Sequence, residues 1–454
     1  MDKNTIENLK SRTQCKIEFD KTTKKSTLIF PKGKNITVLP KNFFAYCENF
    51  NILHIPDTVQ SLEDNCFNQC FNLEEITLPN SINKIGKYCF KGCSKLNNIK
   101  IPDTVTTLEN GAFSFCKKLN GVTLPDKLTK IPKLCFYGCN NLSSLNTNNS
   151  TNIDGINLSD NITVLEDNCF GECNNIKTFK VPDNITYIGK GAFENCKSLE
   201  EFIFNDNITD INEQLLINCR NLHTIHLPKN LENIHYMAFS GCESLKQITL
   251  PETLSYIGES SFSYCTELKE IIIPQNVQQI DNNAFENCNK LEAVTILSNN
   301  IKNIGNNIFD YCSNIKYLNI PQGTLNNKLF DFNNMPKLKN IIYDNRHILN
   351  LNENEQFINL INNDKYICIN YLNNDNKYLY KVTTNKTNDN EIKTEIDLTT
   401  NFLKLFNHNM LDDISDTNKK ANICLNMMSI LDIEVCNEFL NKLSKNIQED
   451  NTNM

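Results

Sequence analysis

The sequence predicts an α/β solenoid of about thirteen coils, each carrying one short strand, followed by a small α+β module. Three observations carry that prediction. A Phe-x-x-Cys pair returns at a spacing of 23 residues, a proline follows most of those cysteines nine residues later, and both signals fade beyond about residue 343. A unit this short cannot bury a core alone, so copies of it must stack.

At the start of the chain, Ile17 and Phe19 alternate, Lys21 to Lys25 form a polar turn, and Leu28 and Phe30 alternate before Pro31. Residues 1–31 therefore read as a hairpin that caps the first coil, since a solenoid exposes apolar ends unless something covers them. The array follows over 32–343. Its pairs are Phe44/Cys47, Phe67/Cys70, Phe90/Cys93, Phe113/Cys116, Phe136/Cys139, Phe170/Cys173, Phe193/Cys196, Leu216/Cys219, Phe239/Cys242, Phe262/Cys265, Phe285/Cys288 and Phe309/Cys312.

Within one coil, Leu73, Ile76, Leu78, Ile82, Ile85 and Phe90 mark the inward positions. Ile76-Thr77-Leu78 alternates as a half-buried strand does, and Pro79 ends the pairing by removing a backbone donor. Phe90, Cys93 and Leu96 fall at i, i+3 and i+6, which predicts a short helical or 3₁₀ turn with one face inward. The proline returns at Pro56, Pro102, Pro125, Pro182, Pro228, Pro251, Pro274 and Pro321, while Ser159, Asn205 and Leu297 take its place in three coils. The coil with Asn205 also has Leu216 for Phe, and looser packing is expected there. Two insertions interrupt the count, eleven residues within the polar run Ser143 to Gly155 and one residue near Ser298. Both read as surface loops, which cost a stack little.

At the far end, Phe332, Met335, Leu338 and Ile341 repeat the pattern one period after Phe309 and read as a terminal coil. Residues 344–454 break the period. Glu353 to Asn362, Phe402 to Leu411, Ala421 to Leu431 and Glu434 to Ile447 read as helices. Tyr366 to Leu372, Lys377 to Thr383 and Ile392 to Leu398 read as strands, with a frayed tail from Gln448.

The unit resembles the BspA-type leucine-rich repeat. Ile188-Gly189-Lys190-Gly191-Ala192-Phe193-Glu194-Asn195-Cys196-Lys197-Ser198-Leu199, and Ile257-Gly258 with Phe262 and Cys265, carry the resemblance, which extends from residue 28 to about 343. It implies a curved right-handed superhelix with a parallel sheet on its concave side. It implies no chemistry. It also implies a surface role, because many BspA-type proteins act in attachment and host interaction.

The composition is that of an ordinary globular chain, 40% hydrophobic and 22% charged over 454 residues, with no tryptophan. A net charge of −8 with scattered Lys and Arg argues against a nucleic-acid partner. No run approaches the length of a membrane span, and Met1-Asp2-Lys3-Asn4 opens a polar segment. A cytoplasmic monomer is the default expectation.

Of the twenty cysteines, twelve hold one repeat position and read as packing residues rather than a disulfide framework. Stacked equivalents lie about 4.8 Å apart with parallel Cβ vectors, whereas a bridge needs them facing and closer. Cys66, Cys89, Cys135 and Cys169 add a second thiol where other coils have Ala112 or Ala192. Neighbouring pairs offer four thiols to a zinc ion, yet the coils with alanine keep the remaining Cys, so small buried residues are the favoured reading. His54, His223, His226, His235, His347 and His408 form no metal motif, and no nucleophile-elbow, Walker or HExxH pattern occurs. No catalytic, cofactor or metal residue is assigned.

Function then falls to the outward strand positions. His54, Thr77, Lys100, Thr123, Lys180, Ile203, His226, Thr249, Ile272 and Tyr317 are the expected partner-binding residues on the concave sheet. The expected function is a non-enzymatic scaffold that binds a protein through the array. The alternatives are a surface adhesin and an enzyme or toxin whose activity lies in 345–454.

Overall fold

The computed structural model describes residues 15–31, 33, 35–147, 155–298, 300–321, 337, 340–344, 368–372, 378–386 and 392–397. They fall in two compact units, 1–367 and 368–454. The first is a parallel β-solenoid held by three hydrogen-bonded ladders, one for each side of a coil.

The first ladder is the expected strand face. Ile52–His54, Glu75–Thr77, Asn98–Lys100, Gly121–Leu124 and Ser144–Thr147 run parallel, each 23 residues after the last. Before them, Lys16–Asp20 pairs antiparallel with Lys25–Ile29, which runs parallel to Ile52–His54. A second group joins Thr178–Lys180, Glu201–Ile203 and Thr224–His226, and a third joins Glu270–Ile273, Ala293–Ile296, Tyr317–Pro321 and Asn340–Asp344. The middle residue of nearly every strand is buried and its neighbours face out.

The second ladder was not foreseen. Two-residue strands such as Ser61–Leu62, Lys84–Ile85 and Thr107–Leu108 pair in register along the positions preceding the third side. The sequence contains only one inward residue per pair there, too short a stretch to show a period of two.

The third ladder stands where a helical turn was expected, and no helix occurs among the described residues. The reason lies in the backbone. In each coil from Phe44 to Phe309 the residues two before and two after the repeated Phe, or Leu216 in its place, have positive φ, as in Asn65 and Gln69 around Phe67 or Asn283 and Asn287 around Phe285. A left-handed residue interrupts the right-handed run on each side, so only single turns close, such as Cys70 N–H to Phe67 C=O at 3.1 Å. Alternate N–H groups point instead at the next coil: Phe67 N–H bonds Cys89 C=O and Phe90 N–H bonds Ala112 C=O, both at 2.8 Å. The i, i+3 spacing of Phe and Cys is that of a turn repeated sideways.

The core is a column of aromatic rings. Phe44, Phe67, Phe90, Phe113, Phe136, Phe170 and Phe193 stack nearly parallel, with successive centroids 5.3–5.8 Å apart. Phe239, Phe262, Phe285 and Phe309 form a second column. Leu216 separates the two, and where looser packing was expected Leu215, Leu216 and Cys219 are fully buried. Leu215 fills the place of a Cys or Ala, and Phe202 lies edge-on to Phe193 at 5.0 Å, so volume lost at one position returns at its neighbours.

The three coils without proline keep its turn by other means. Ser159 Oγ accepts the N–H of Asn161, Asn205 Oδ1 that of Asn207, and Ser298 Oγ that of Asn300. Each is a side chain closing a turn two residues on. In the last case Ser298, not Leu297, holds the proline position, and Leu297 is exposed. The expected loop from Ser143 also starts later. Leu145 lies 23 residues after Val122 and is buried, so Ser144–Thr147 is a strand, and Ile156 bridges to Leu145 where the chain re-enters.

In the second unit, Cys368–Leu372 pairs antiparallel with Tyr378–Lys386, which pairs antiparallel with Ile392–Asp397. The expected helices, and Phe332, Met335 and Leu338 of the terminal coil, lie outside the described residues.

Candidate partner-binding surface

The strand alternation decides which side chains reach solvent, and the ladder register decides which stand together. His54 and Thr77 are exposed neighbours, with His54 Nδ1 3.1 Å from Thr77 Oγ1. Lys100 is exposed beside the half-buried Thr123. Lys180, Ile203 and His226 share one row of the second group, with His226 Nε2 4.0 Å from Glu201 Oε1. Ile272 stands beside Thr295 in the third group, and Tyr317 pairs with Ala293 one row away. Thr249 is exposed but in no strand. The ten residues thus lie on one ladder side in separate clusters.

Two depressions mark this side. A smaller one of about 350 Å³ is lined by Asn98, Lys100, Gly121, Thr123, Ser144 and Asn146. Gly121 makes it: a Cβ there would come 2.7 Å from Asn98 Oδ1 and 3.0 Å from Ser144 Oγ. Ser144 and Asn146 were missed because they were assigned to the loop, although the unbroken 23-residue step from Val122 to Leu145 would have placed them. The larger depression lies around Glu270, Ala293 and Tyr317.

The ion pairs are exposed or half-buried, among them Lys25 with Glu74 and Glu75, and Lys316 with Glu292 at 2.9 Å. The Lys316 ammonium holds the Glu292 carboxyl below its ordinary range. Exposed pairs of this kind contribute little stability.

The large exposed aromatics lie mostly elsewhere. Tyr46, Phe115, Tyr264 and Tyr311 stand on the turn ladder at left-handed positions two after the repeated Phe. Phe115 rests over Gly138, where a Cβ would come 2.7 Å from its Cδ1. Sequence reading found aromatics scarce on the strand face, with Tyr317 the exception, and Tyr317 is 46% exposed.

The cysteine ladder has a bonding role that spacing did not reveal. Cys70 Sγ donates to Phe44 C=O at 3.1 Å, Cys93 Sγ to Phe67 C=O at 3.2 Å, and the pattern continues to Cys312 Sγ on Phe285 C=O. Each such carbonyl already accepts the N–H of its own coil's Cys, so the thiol of the next coil fills its second lone pair. Burial pushes the Cys70 and Cys93 thiols well up, and those of Cys196 and Cys265 to about 12. A metal would need thiolates, which could no longer donate. The cysteines from Cys15 to Cys312 are all buried and free, and among the described residues no three His, Cys, Asp or Glu side chains are grouped to hold a metal.

The repeat geometry has a counterpart among known proteins. A family described as a BspA type leucine-rich repeat region matches residues 16–143, 144–265 and 233–364. The chain belongs to that family. Among solved structures, a leucine-rich repeat protein from Bacteroides ovatus is 22% identical, with 72% of this chain and 98% of that one covered at a TM-score of 0.50. A leucine-rich cell surface protein from Faecalibacterium prausnitzii is 22% identical over 62% of this chain and 93% of that one, at a TM-score of 0.38. The pneumococcal vaccine antigen PcpA is 18% identical over 70% and 82%, at 0.42. These similarities concern the fold. No curated protein matches the chain. Among the described residues of this BspA-type protein, no helix is long and apolar enough to cross a membrane.

Proposed function

We propose that the repeat array is a non-enzymatic scaffold that docks a protein partner on its strand face. The observation that supports it is the pre-set layout of that face. Outward side chains repeat at fixed ladder steps above a core of buried, mutually stacked rings, so binding orders little that is not already ordered. The contact set is His54, Thr77, Lys100, Thr123, Lys180, Ile203, His226, Thr249, Ile272 and Tyr317. With few aromatic anchors, affinity is spread over many contacts.

The test identifies a partner by capture with the full chain from the cells that make it, then measures direct binding. Reversing Lys100→Glu and Lys180→Glu together weakens binding several-fold, while Tyr264→Asn on the turn ladder leaves it unchanged. Unchanged affinity in the lysine variant, or loss in Tyr264→Asn, overturns the strand face as the docking side. Family membership supports a second reading, a cell-surface adhesin. Labelling of intact cells that fails to reach the protein rules it out.

A further inference from the structure

One depression on the strand face has the chemistry of a small-ligand site. The sheet is interrupted there: one strand group ends at Thr224–His226, the next begins at Glu270–Ile273, and Lys246–Leu250 forms no strand between them. A cavity of about 590 Å³ extends from this break across the following coils. That volume is in the range of small-ligand sites.

Its composition restricts what fits. Glu270, Ala293 and Tyr317 stand side by side in one ladder row, so a single methyl group separates the carboxylate from the exposed ring. Lys246, Gln247 and Lys269 line the same cavity. Ammonium and carboxylate groups thus face one space, and a ligand of either net charge meets a repelling neighbour. Glu292, also in the lining, is engaged by Lys316. An extended peptide gains its main-chain bonds at a sheet edge, whereas Glu270, Ala293 and Tyr317 offer side chains from a row of the sheet face. A neutral polyol meets acceptors, donors and an aromatic plane together.

We propose that this depression binds the end of a neutral oligosaccharide. The Tyr317 ring lies against the C–H face of one sugar, whose polarised hydrogens are attracted to the negative face of the ring. Glu270 accepts from hydroxyl groups, and Lys269 and Gln247 donate to their oxygens. Shared contacts and exposure to water make the binding weak for one ring and additive over two or three. The site rests on the strand face being the working side of the array, but takes a ligand separate from the protein partner.

The experiment screens the full chain against immobilised neutral and acidic glycans, then titrates the best ligand in solution. Neutral glycans are bound, Tyr317→Ala and Glu270→Gln each weaken binding at least tenfold, Tyr317→Phe retains it, and Tyr46→Asn, on the turn ladder of a distant coil, has no effect. Capture of acidic glycans alone, no glycan bound, or binding indifferent to Tyr317→Ala overturns the proposal. Protein docking that remains sensitive to Lys100 and Lys180 while no glycan binds defeats the saccharide site and leaves the docking surface standing. Glycan binding without such docking does the reverse.

Discussion

Replacing Phe90 by alanine tests the stacked core most directly. Phe90 is fully buried, with Phe67 at 5.3 Å on one side and Phe113 at 5.4 Å on the other, both nearly parallel. Truncating a buried Phe costs about 3–5 kcal/mol through lost transfer energy and the cavity left behind. Two ring contacts, at roughly 0.5–1.5 kcal/mol each beyond burial, push the figure to the upper end of that range. Phe90→Leu should cost only about 1–2 kcal/mol, because Leu216 shows that the slot accepts leucine with its side chain fully buried. Repeat arrays open locally rather than all at once, so a single unfolding midpoint is a poor readout. Hydrogen exchange read by mass spectrometry is better. Amides from about Leu62 to Cys116 should lose protection in Phe90→Ala, while those beyond Phe239 keep theirs. Equal damage from Leu and Ala, or protection unchanged around residue 90, would refute the column as a stabiliser.

Two further variants probe what the repeat tolerates. Ser261 is fully buried with a hydroxyl that has no hydrogen-bond partner, at a position where other coils carry Ala112, Ala192, Ala238 or Ala284. Ser261→Ala should therefore stabilise the array by about 1 kcal/mol, seen as a rise in the denaturant midpoint, and a fall would mean the hydroxyl has a partner. Burial raises the Glu194 carboxyl above its ordinary range, with Glu172 adding repulsion. A carboxyl raised in the fold favours folding at low pH and loses that contribution as pH rises through its folded value. Glu194→Gln should thus stabilise the protein at neutral pH by an amount that shrinks toward zero below the carboxylate range. A gain that grows on acidification would show the sign to be wrong.

Legibility in the sequence followed how strictly each side of the coil is repeated. The strand ladder was readable because Ile76-Thr77-Leu78 has both alternation and a terminating proline. The turn ladder was half readable. Phe90, Cys93 and Leu96 marked the inward face, but its geometry is fixed by left-handed residues at positions held variously by Asn, Gly, Tyr, Leu and Met, among them Tyr88, Leu134 and Met237. Only Asn and Gly advertise that conformation, so a face that is never helical resembled a helix at i, i+3. The same limit applied to Leu145, where a break in composition concealed an intact period.

The candidate site was legible as a row of positions and not as a surface. Alternation placed Ile203, His226 and Tyr317 outward, but the row is divided by interruptions that depend on pairing between coils, such as the one beside Lys246. Among the described residues those interruptions, together with small residues like Gly121 and Ala293, give the face relief. A partner reading the face therefore has two kinds of feature to use: scattered charges such as Lys100 and Lys180, and hollows whose floors are glycine or alanine. Enlarging a floor separates them. Ala293→Val fills the larger hollow without altering any charge, and β-branched valine suits a strand. If the hollow is the saccharide site, this variant abolishes glycan binding while protein docking through the lysines persists. Loss of both would mean that one ligand spans the whole face.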